Sequence, residues 1–477
     1  MSLETPSAVV TAGAAVFAES LVGQAVETVP VAWRPPAGDP AALAAVMGDR
    51  RRPGANARAV EAMLATRARL VDVLPAAQVL HLERGELLHA GPPVTWERTS
   101  GPMRGALVGA LLLEGSADSP EAAERLLRAG AVSWEPCHAR GAVGPMAGVV
   151  SPSMWMFCLS DEATGNESWC SLNEGLGKVL RYGAYGKEVI DRLQWMGAVL
   201  GPLLQHAVRA TGPVDVTALV AQMVQMGDEG HNRNRAGTLM FLRELLPALI
   251  GSGFPTADVS DAVRFVSGND HFFLNLVMPT CKLMSLAAAG VPGSSVVTVM
   301  SRNGTDFGIQ TSGTGERWFT APANTPEGLF LGGYGPEDAN PDIGDSAITE
   351  TAGLGGMSMA TAPAIVRLVG GSVADALATT QRMYDLTVTE NPAFAIPVLE
   401  FRGAPTGIDV TSVVRSRVLP QINTGMAGRV AGTGQVGAGL VTPPMGCFTQ
   451  ALDALAASVP PSGHASSRPR MTRPTSS

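Results

Sequence analysis

The sequence predicts an α/β protein of the mixed α+β kind, with a small N-terminal Rossmann-like βαβ domain and a larger α/β domain interrupted by a mostly helical insertion. Three observations predict it. Residues 7–33 hold two short apolar runs separated by a glycine and an amphipathic stretch. Strand-like apolar runs keep returning between helical patterns along most of the 477 residues. Between Lys187 and Val266 the alternation stops and helical spacing takes over.

Each element follows from its own pattern. The run Ala8–Thr11, Gly13, a helical stretch through Leu21 and the run Val26–Trp33 spell a βαβ unit, closed by the turn Arg34-Pro35-Pro36-Ala37-Gly38. Alanine-rich periodicity predicts helices over Pro40–Met47 and Ala55–Leu70, and Val79–Leu82 reads as a strand, so residues 1–110 form the N-terminal domain. Helical spacing returns over Arg104–Leu113 and Ser119–Ala129. Residues 111–186 and 267–458 make the main domain, and residues 187–266 the helical subdomain. In the latter, Ile190, Leu193, Met196, Leu200 and Leu203 keep helical spacing, and a second helix covers Leu239–Ile250. Val296–Met300 and Gly328–Leu331 restore strand texture, and a helix follows over Thr361–Val369. The Ser/Pro/Arg-rich residues 459–477 read as a disordered tail.

Composition excludes several function classes. Hydrophobic residues make up 45% and charged residues only 16%, which excludes a disordered or supercharged chain. A net charge of −8 gives no electrostatic case for nucleic acid or for an anionic membrane surface. No run of 18 apolar residues is present, since Gly141–Leu159 is broken by Pro145, Ser151, Pro152 and Ser153. The five cysteines are widely spaced and form no CxxC pair, which argues against a disulfide framework or structural zinc and fits a reducing cytoplasm. Glu4 and the absence of a basic start before an apolar run make residues 1–10 an unlikely shape for a secretory signal.

Residue usage points at one stretch. The basic residues are almost all arginine, and the three lysines are Lys178, Lys187 and Lys282. Nine of the twelve asparagines fall between Asn166 and Asn340. A lysine kept under pressure for arginine marks a place where a compact point charge is wanted.

Five polar clusters lie in that stretch. The first is Asn173-Glu174-Gly175-Leu176-Gly177-Lys178 with Arg181; helical spacing puts Glu174, Lys178 and Arg181 on one face, suited to a phosphate or carboxylate, or to a plain ion-pair ladder. The second is Gly227–Arg235, in which His231 sits beside two carboxylates, Asp228 among them, with Asn232, Arg233 and Asn234 as donors; an ordinary exposed loop is the alternative. The third, Asn269-Asp270-His271 with Lys282 downstream, offers another acid or base, or a satisfied core histidine. The fourth, Arg302-Asn303-Gly304-Thr305-Asp306, is an anion site or a simple turn. The fifth runs from Asn340 through Asp342 and Asp345 to Thr349-Glu350-Thr351 and the glycines at 353, 355 and 356. Asp342 and Asp345 are candidate Mg²⁺ ligands there, the glycine-rich turn is a candidate anion cradle, and helix capping is the bland alternative. Gly432-Thr433-Gly434-Gln435-Val436-Gly437 matches GxGxxG, yet no βαβ unit fits around it, so it reads as a glycine turn near a ligand or another backbone.

Taken in order, the strings Trp33–Gly38, Gly144–Gly148 with Ser151–Ser153, Asn173–Lys178, Gly227–Asn234, Gly268–Phe272, Arg302–Gly308, Asn340–Gly356 and Gly434–Gly439 with Pro443-Pro444 resemble the YlbE-like, AllG/YahG-type bacterial family. The resemblance runs from about residue 8 to about residue 455. It implies a subunit of an oxamate carbamoyltransferase, working with FdrA-like and AllH-like subunits to split oxalurate with phosphate into oxamate and carbamoyl phosphate. It implies no organic cofactor and assigns no catalytic residue.

That chemistry needs cations for phosphate, donors for an oxyanion and a proton source for the leaving nitrogen. Lys178, Arg181, Arg233, Lys282 and Arg302 are candidates for the first role. Asn173, Asn232, Asn234, Asn269 and Asn303, with Asp306, Thr349, Glu350 and Thr351, are candidates for substrate and phosphate binding. His231 and His271, with Glu174, Asp228 and Asp270, are candidates for proton transfer. A stand-alone amide or ureido enzyme, and a non-catalytic scaffold subunit, are the competing expectations. The surplus of apolar residues also allows a homo-oligomer.

Overall fold

The computed structural model describes residues 8–13, 15–31, 34–366 and 371–460. The expected tail, the end of the expected helix Thr361–Val369, and residues 32–33 of the second apolar run lie wholly or partly outside the described residues. The fold is α/β, built from several sheets and many helices, as the alternation of patterns predicts. Strands Val9–Ala12 and Thr28–Val31 pair in parallel with the helix Ala15–Val22 between them, which is the βαβ opening.

The largest sheet is mixed and five-stranded, in the order 142–143, 167–171, 155–160, 69–75, 214–215. Its strand Arg69–Pro75, between Trp155–Ser160 and the edge strand Val214–Asp215, lies on the N-terminal side of the expected boundary at residue 110. One apolar core, which includes Ala59, Phe157, Phe241, Phe272 and Ala427, crosses that boundary and the helical segment alike. Locally, the helix expected over Ala55–Leu70 ends at Ala65, and the expected strand Val79–Leu82 is instead the end of a short helix and its turn. The strand begins at Arg69 because Leu70 and Val73 are drawn into the sheet, a tertiary demand that alanine-rich periodicity does not report. Residues 187–266 are helices joined by loops, the longest at 226–234, with one two-residue strand, Val214–Asp215, and one helix there contains a π turn over Met196–Leu200.

A four-stranded antiparallel sheet, in the order 319–322, 306–311, 297–303, 343–344, packs with the C-terminal helix Met445–Ala457 around a second apolar core. A three-stranded sheet joins Glu327–Phe330, Gln435–Val441 and Ile422–Ala427. Inside the first core lies the helix Leu274–Ala288, in which all residues but Leu286 and Ala287 are buried. A helix apolar on all sides is expected at such a position. This one also carries Asn275, Thr280, Lys282 and Ser285, so each of those side chains needs a partner inside the protein. No helix among the described residues is long and apolar enough to cross a membrane.

Candidate functional site

The polar loop between helices Val216–Gln225 and Arg235–Ile250 is buried, where an exposed loop was the bland expectation: Asp228, Glu229, His231 and Asn234 are each at most 3% exposed. Its shape is set by its own carboxylates. Asp228 accepts from the amides of Ala236 (2.6 Å) and Gly237 (3.1 Å), capping the second helix. Glu229 accepts from the amides of His231 (2.8 Å), Asn232 (2.6 Å) and Arg233 (2.7 Å), which curls the loop around its side chain.

The curl turns the His231 ring toward the one-turn helix Ile348–Thr351. There Nδ1 meets Oε1 of Glu350 at 2.9 Å. Glu350 is itself held by the Thr349 hydroxyl (2.9 Å) and the Gly356 amide (2.9 Å). A carboxylate on Nδ1 fixes the proton there and leaves Nε2 as the working nitrogen. Asn232 donates to Oδ1 of Asn423 on strand Ile422–Ala427, while Asn423 Nδ2 and Asn234 Oδ1 are buried without a partner among the described residues.

A second wall comes from residues 173–181. Apart from a 3-10 turn that begins at Leu180 these are not helical, so the shared face expected for Glu174, Lys178 and Arg181 does not exist: the glycines Gly175 and Gly177, at φ +99° and +84°, run the segment as a loop and leave Lys178 exposed. Glu174 instead folds back to accept from the amides of Leu180 (2.7 Å) and Arg181 (3.1 Å), and Arg181 donates to the Gly175 carbonyl (2.6 Å). Asn173 donates to Asn275 (2.6 Å) and to the His271 carbonyl (3.0 Å), and accepts from Asn269 (3.0 Å). The first and third clusters therefore form one network. Arg181, Glu174 and Asn275 line a cavity of about 300 Å³ whose far side is the π turn at Met196 and Gly197.

The Gly432–Gly437 string supports this loop from behind. Gly434 has φ +90°, and a Cβ there would lie 2.6 Å from the Gly177 carbonyl oxygen. It is a turn against another backbone leading into strand Gln435–Val441, as the sequence reading preferred.

Charge is distributed unevenly. Burial and the nearby Glu350 push Glu229 up to about 8, against the pull of its three amides. Burial, then the Arg181 guanidinium and His231, hold His271 down to about 3, so its imidazole is neutral. Burial also raises Glu174 and Asp228 from their ordinary values, against the amides each accepts from. The two networks thus offer an oriented histidine, the neutral His271 imidazole, a protonatable carboxyl, one guanidinium and several amides.

The fourth and fifth clusters meet beneath it. Arg302 is fully buried and grips both oxygens of Asp342 (2.7 and 2.9 Å), with Thr424 beside them. Asp345 accepts from the amides of Gly91 (2.9 Å) and Gly144 (2.9 Å) and from the Ser301 hydroxyl. Burial works to raise Asp345, but His138 and those donors outweigh it and hold it below the ordinary value. Both carboxylates are already engaged, Asp342 by a guanidinium and Asp345 by backbone amides and a hydroxyl, and the described residues contain no group of three metal-ligating side chains.

With this geometry in hand, the chain can be set beside known proteins. A family model described as oxamate carbamoyltransferase subunit AllG matches residues 132–346. The chain is 46% identical over 409 residues to the oxamate carbamoyltransferase subunit AllG of Escherichia coli K12, covering 85% of this chain and 98% of that one. It is 42% identical over 455 residues to YahG, an uncharacterized protein of the same strain, covering 94% and 96%. The chain belongs to the AllG/YahG family. A crystal structure of a conserved protein of unknown function from Enterococcus faecalis V583 shares the fold, with a TM-score of 0.84 and 44% identity, covering 85% of this chain and 98% of that one.

Within this AllG/YahG-family fold, the sequence reading and the structure agree unevenly. His231, Asn232, Asn234, Thr349 and Glu350 fall in one hydrogen-bond network and Asn173, Glu174, Arg181, Asn269 and the His271 backbone in a second, with the His271 ring close enough to Arg181 and His231 to feel both charges. Lys178 and Asp270 are exposed, Asp270 being 3.8 Å from the exposed Arg235, and Arg233 reaches back to Asp228 at 3.3 Å. Asn303 closes its own turn by accepting from Thr305 and Asp306, Asp306 pairs with Arg98 at 2.7 Å, and Thr351 donates to the Ile348 carbonyl. Lys282 sits elsewhere on the central helix, facing a different cavity. The partner of His231 is Glu350, not the adjacent carboxylates that proximity in sequence suggests. Glu229, one of the two carboxylates beside His231 in the second cluster, holds the loop and not the ring, and Asn275 and Asn423 lay outside the five clusters. The last two carried a usable signal: an asparagine inside an apolar helix or strand of a chain poor in asparagine.

Proposed function

We propose that this chain is a subunit of a carbamoyltransferase that moves the carbamoyl group of oxalurate, or of a related ureido acid, reversibly to phosphate. The observation that carries the proposal is the 46% identity, over nearly the whole relative, to a protein named as an oxamate carbamoyltransferase subunit. FdrA-like and AllH-like proteins are the proposed partner subunits.

The site residues suit this reaction. A phosphate oxygen attacks the carbamoyl carbon, the carbon–nitrogen bond breaks, and the leaving nitrogen takes a proton. Arg181, lining the cavity, faces the anion; the amides of Asn232 and Asn423 suit the developing oxyanion; His231, oriented by Glu350, takes the proton of the attacking phosphate on Nε2 and hands it to the leaving nitrogen. No organic cofactor enters the scheme, and no step uses a metal.

The test is phosphate-dependent turnover of oxalurate and a panel of ureido acids, followed by phosphorus NMR for carbamoyl phosphate, with this protein alone and then with its partner subunits. Carbamoyl phosphate formation that collapses in His231→Ala supports the proposal. Phosphate-independent release of ammonia by the protein alone would favour an amide or ureido hydrolase. Turnover in the complex that is indifferent to His231→Ala would make the chain a scaffold.

A further inference from the structure

The central helix Leu274–Ala288 presents side chains to two cavities that share no lining residue. Asn275 faces the first. Two turns on, Lys282 and Ser285 face the second, of about 330 Å³.

Lys282 is 4% exposed and has neither a hydrogen-bond nor an ion-pair partner among the described residues. The nearest candidate counter-charge, Asp345, is occupied by two amides and a hydroxyl and lies beyond ion-pair reach of the amine. Ser285, three residues further along the same helix face, has a buried hydroxyl with no partner at all. His138 adds a ring whose hydrogen-bonding nitrogens are unpartnered apart from a 3.3 Å approach of Nε2 to Asp345. Thr298 and Gln310 line the same space, Gln310 with its amide nitrogen on the Glu316 carbonyl (2.8 Å) and its oxygen left over. Trp318 packs edge-on to the His138 ring at 5.8 Å and walls the cavity.

An unpaired ammonium inside a protein is costly, as is a buried hydroxyl without a partner, and here both residues line one cavity. We propose that this cavity is a second binding site, for a small oxyanion bearing a carboxylate or a phosphate, with the Lys282 ammonium and the Ser285 hydroxyl as its donors. A bound anion supplies the partner each lacks, and the cavity is large enough for a small molecule rather than for a single ion. Burial holds the Lys282 amine down to about 8, with Asp345 and Glu316 acting the other way, so an anion seated there also keeps the amine protonated.

Because the chain has three lysines, the amine can be followed individually. The purified full chain is treated with limiting cyanate, itself a small anion, and carbamylation of each lysine is followed by mass spectrometry, without added anion, with inorganic phosphate, and with oxamate. Lys187, whose side chain is 87% exposed, is the internal control. The expected result is that one of the two anions slows labelling of Lys282 by about tenfold at ten times its dissociation constant, while Lys187 and Lys178 are unaffected. Which anion protects decides between the phosphate and the carboxylate. Ser285→Ala keeps the lysine and should weaken that protection severalfold, and Arg181→Met, in the other cavity, should leave it intact. Failure of cyanate to reach Lys282, equal rates with and without both anions, or equal slowing of all three lysines would overturn the proposal. None of these readouts involves carbamoyl turnover, so the proposed reaction can stand or fall separately.

Discussion

At the residue scale, the pairing of His231 with Glu350 decides what the site can do. General acid–base groups contribute about 10²–10⁴-fold to rate, so His231→Ala should lower kcat by that factor in whichever assembly turns over, with little change in KM. Glu350→Gln keeps the hydrogen-bonding shape but no longer stabilises the imidazolium; a smaller fall in kcat with an altered pH profile is the expected result. The buried Arg302–Asp342 pair makes a different prediction. Removing one partner strands the other charge, which costs about 3–5 kcal/mol. Asp342→Ala should show that loss in denaturant unfolding, and the double replacement Arg302→Met with Asp342→Leu should recover most of it. Recovery of catalysis by the double variant would be unexpected, since Thr424, which also touches Arg302, adjoins Asn423 in the site.

At the scale of elements, loops carry the site and glycines let them approach. Gly434→Ala forces a side chain into a positive-φ position and onto the Gly177 carbonyl, so the 173–181 loop must shift. Strain at such positions costs about 1–3 kcal/mol. The expected outcome is weaker substrate binding by Arg181, read as a raised KM, with kcat less affected. The N-terminal βαβ unit behaves oppositely. Its helix Ala15–Val22 buries no side chain, and Val16, Phe17 and Val22 are exposed. Deleting the residues up to Val31 should leave the unfolding midpoint of the remaining chain nearly unchanged, because no core packing is lost; a drop of several degrees would show that the unit is integral to the fold.

At the scale of the whole molecule, buried titratable groups set the response to pH. Burial lowers His89, His138 and His271 below the ordinary imidazole value. The unfolded chain therefore binds protons at these rings first as pH falls below about 6.5, and their contribution to stability falls with pH in that range. Glu229, raised to about 8, acts in the opposite sense, since the folded form holds its proton above the pH at which the unfolded carboxyl loses it. Each group contributes at most about 1.4 kcal/mol per pH unit. Glu174 and Asp228, also raised by burial, act with Glu229, so three carboxyls oppose three imidazoles, and the contribution of the imidazoles is a decline in unfolding free energy between pH 6.5 and 5.5. His271→Gln should flatten that decline measurably, and an unchanged slope would mean that His271 is not held neutral.

Much of this was legible in the chain before any coordinates. The α/β class, the βαβ opening, the helical run after Lys187 and the family resemblance are local or ordered patterns, and local spacing is what a sequence displays directly. So is the crowding of polar residues into apolar surroundings, which marked His231, Glu350, Arg181 and Lys282 as residues with something to do. What only the tertiary structure decided is which of them meet. His231 and Glu350 are 119 positions apart and are joined by the curl that Glu229 imposes on its loop. Lys178 and Arg181 are three apart yet end on opposite sides of the surface, because two glycines turned a predicted helix face into a loop. Asp342 and Asp345 offered oxygens for a metal until folding spent them on Arg302 and on backbone amides. The physical reason is the same each time: a side chain's type is written locally, but its partner is chosen by whichever buried group lacks one, and burial is a property of the whole fold.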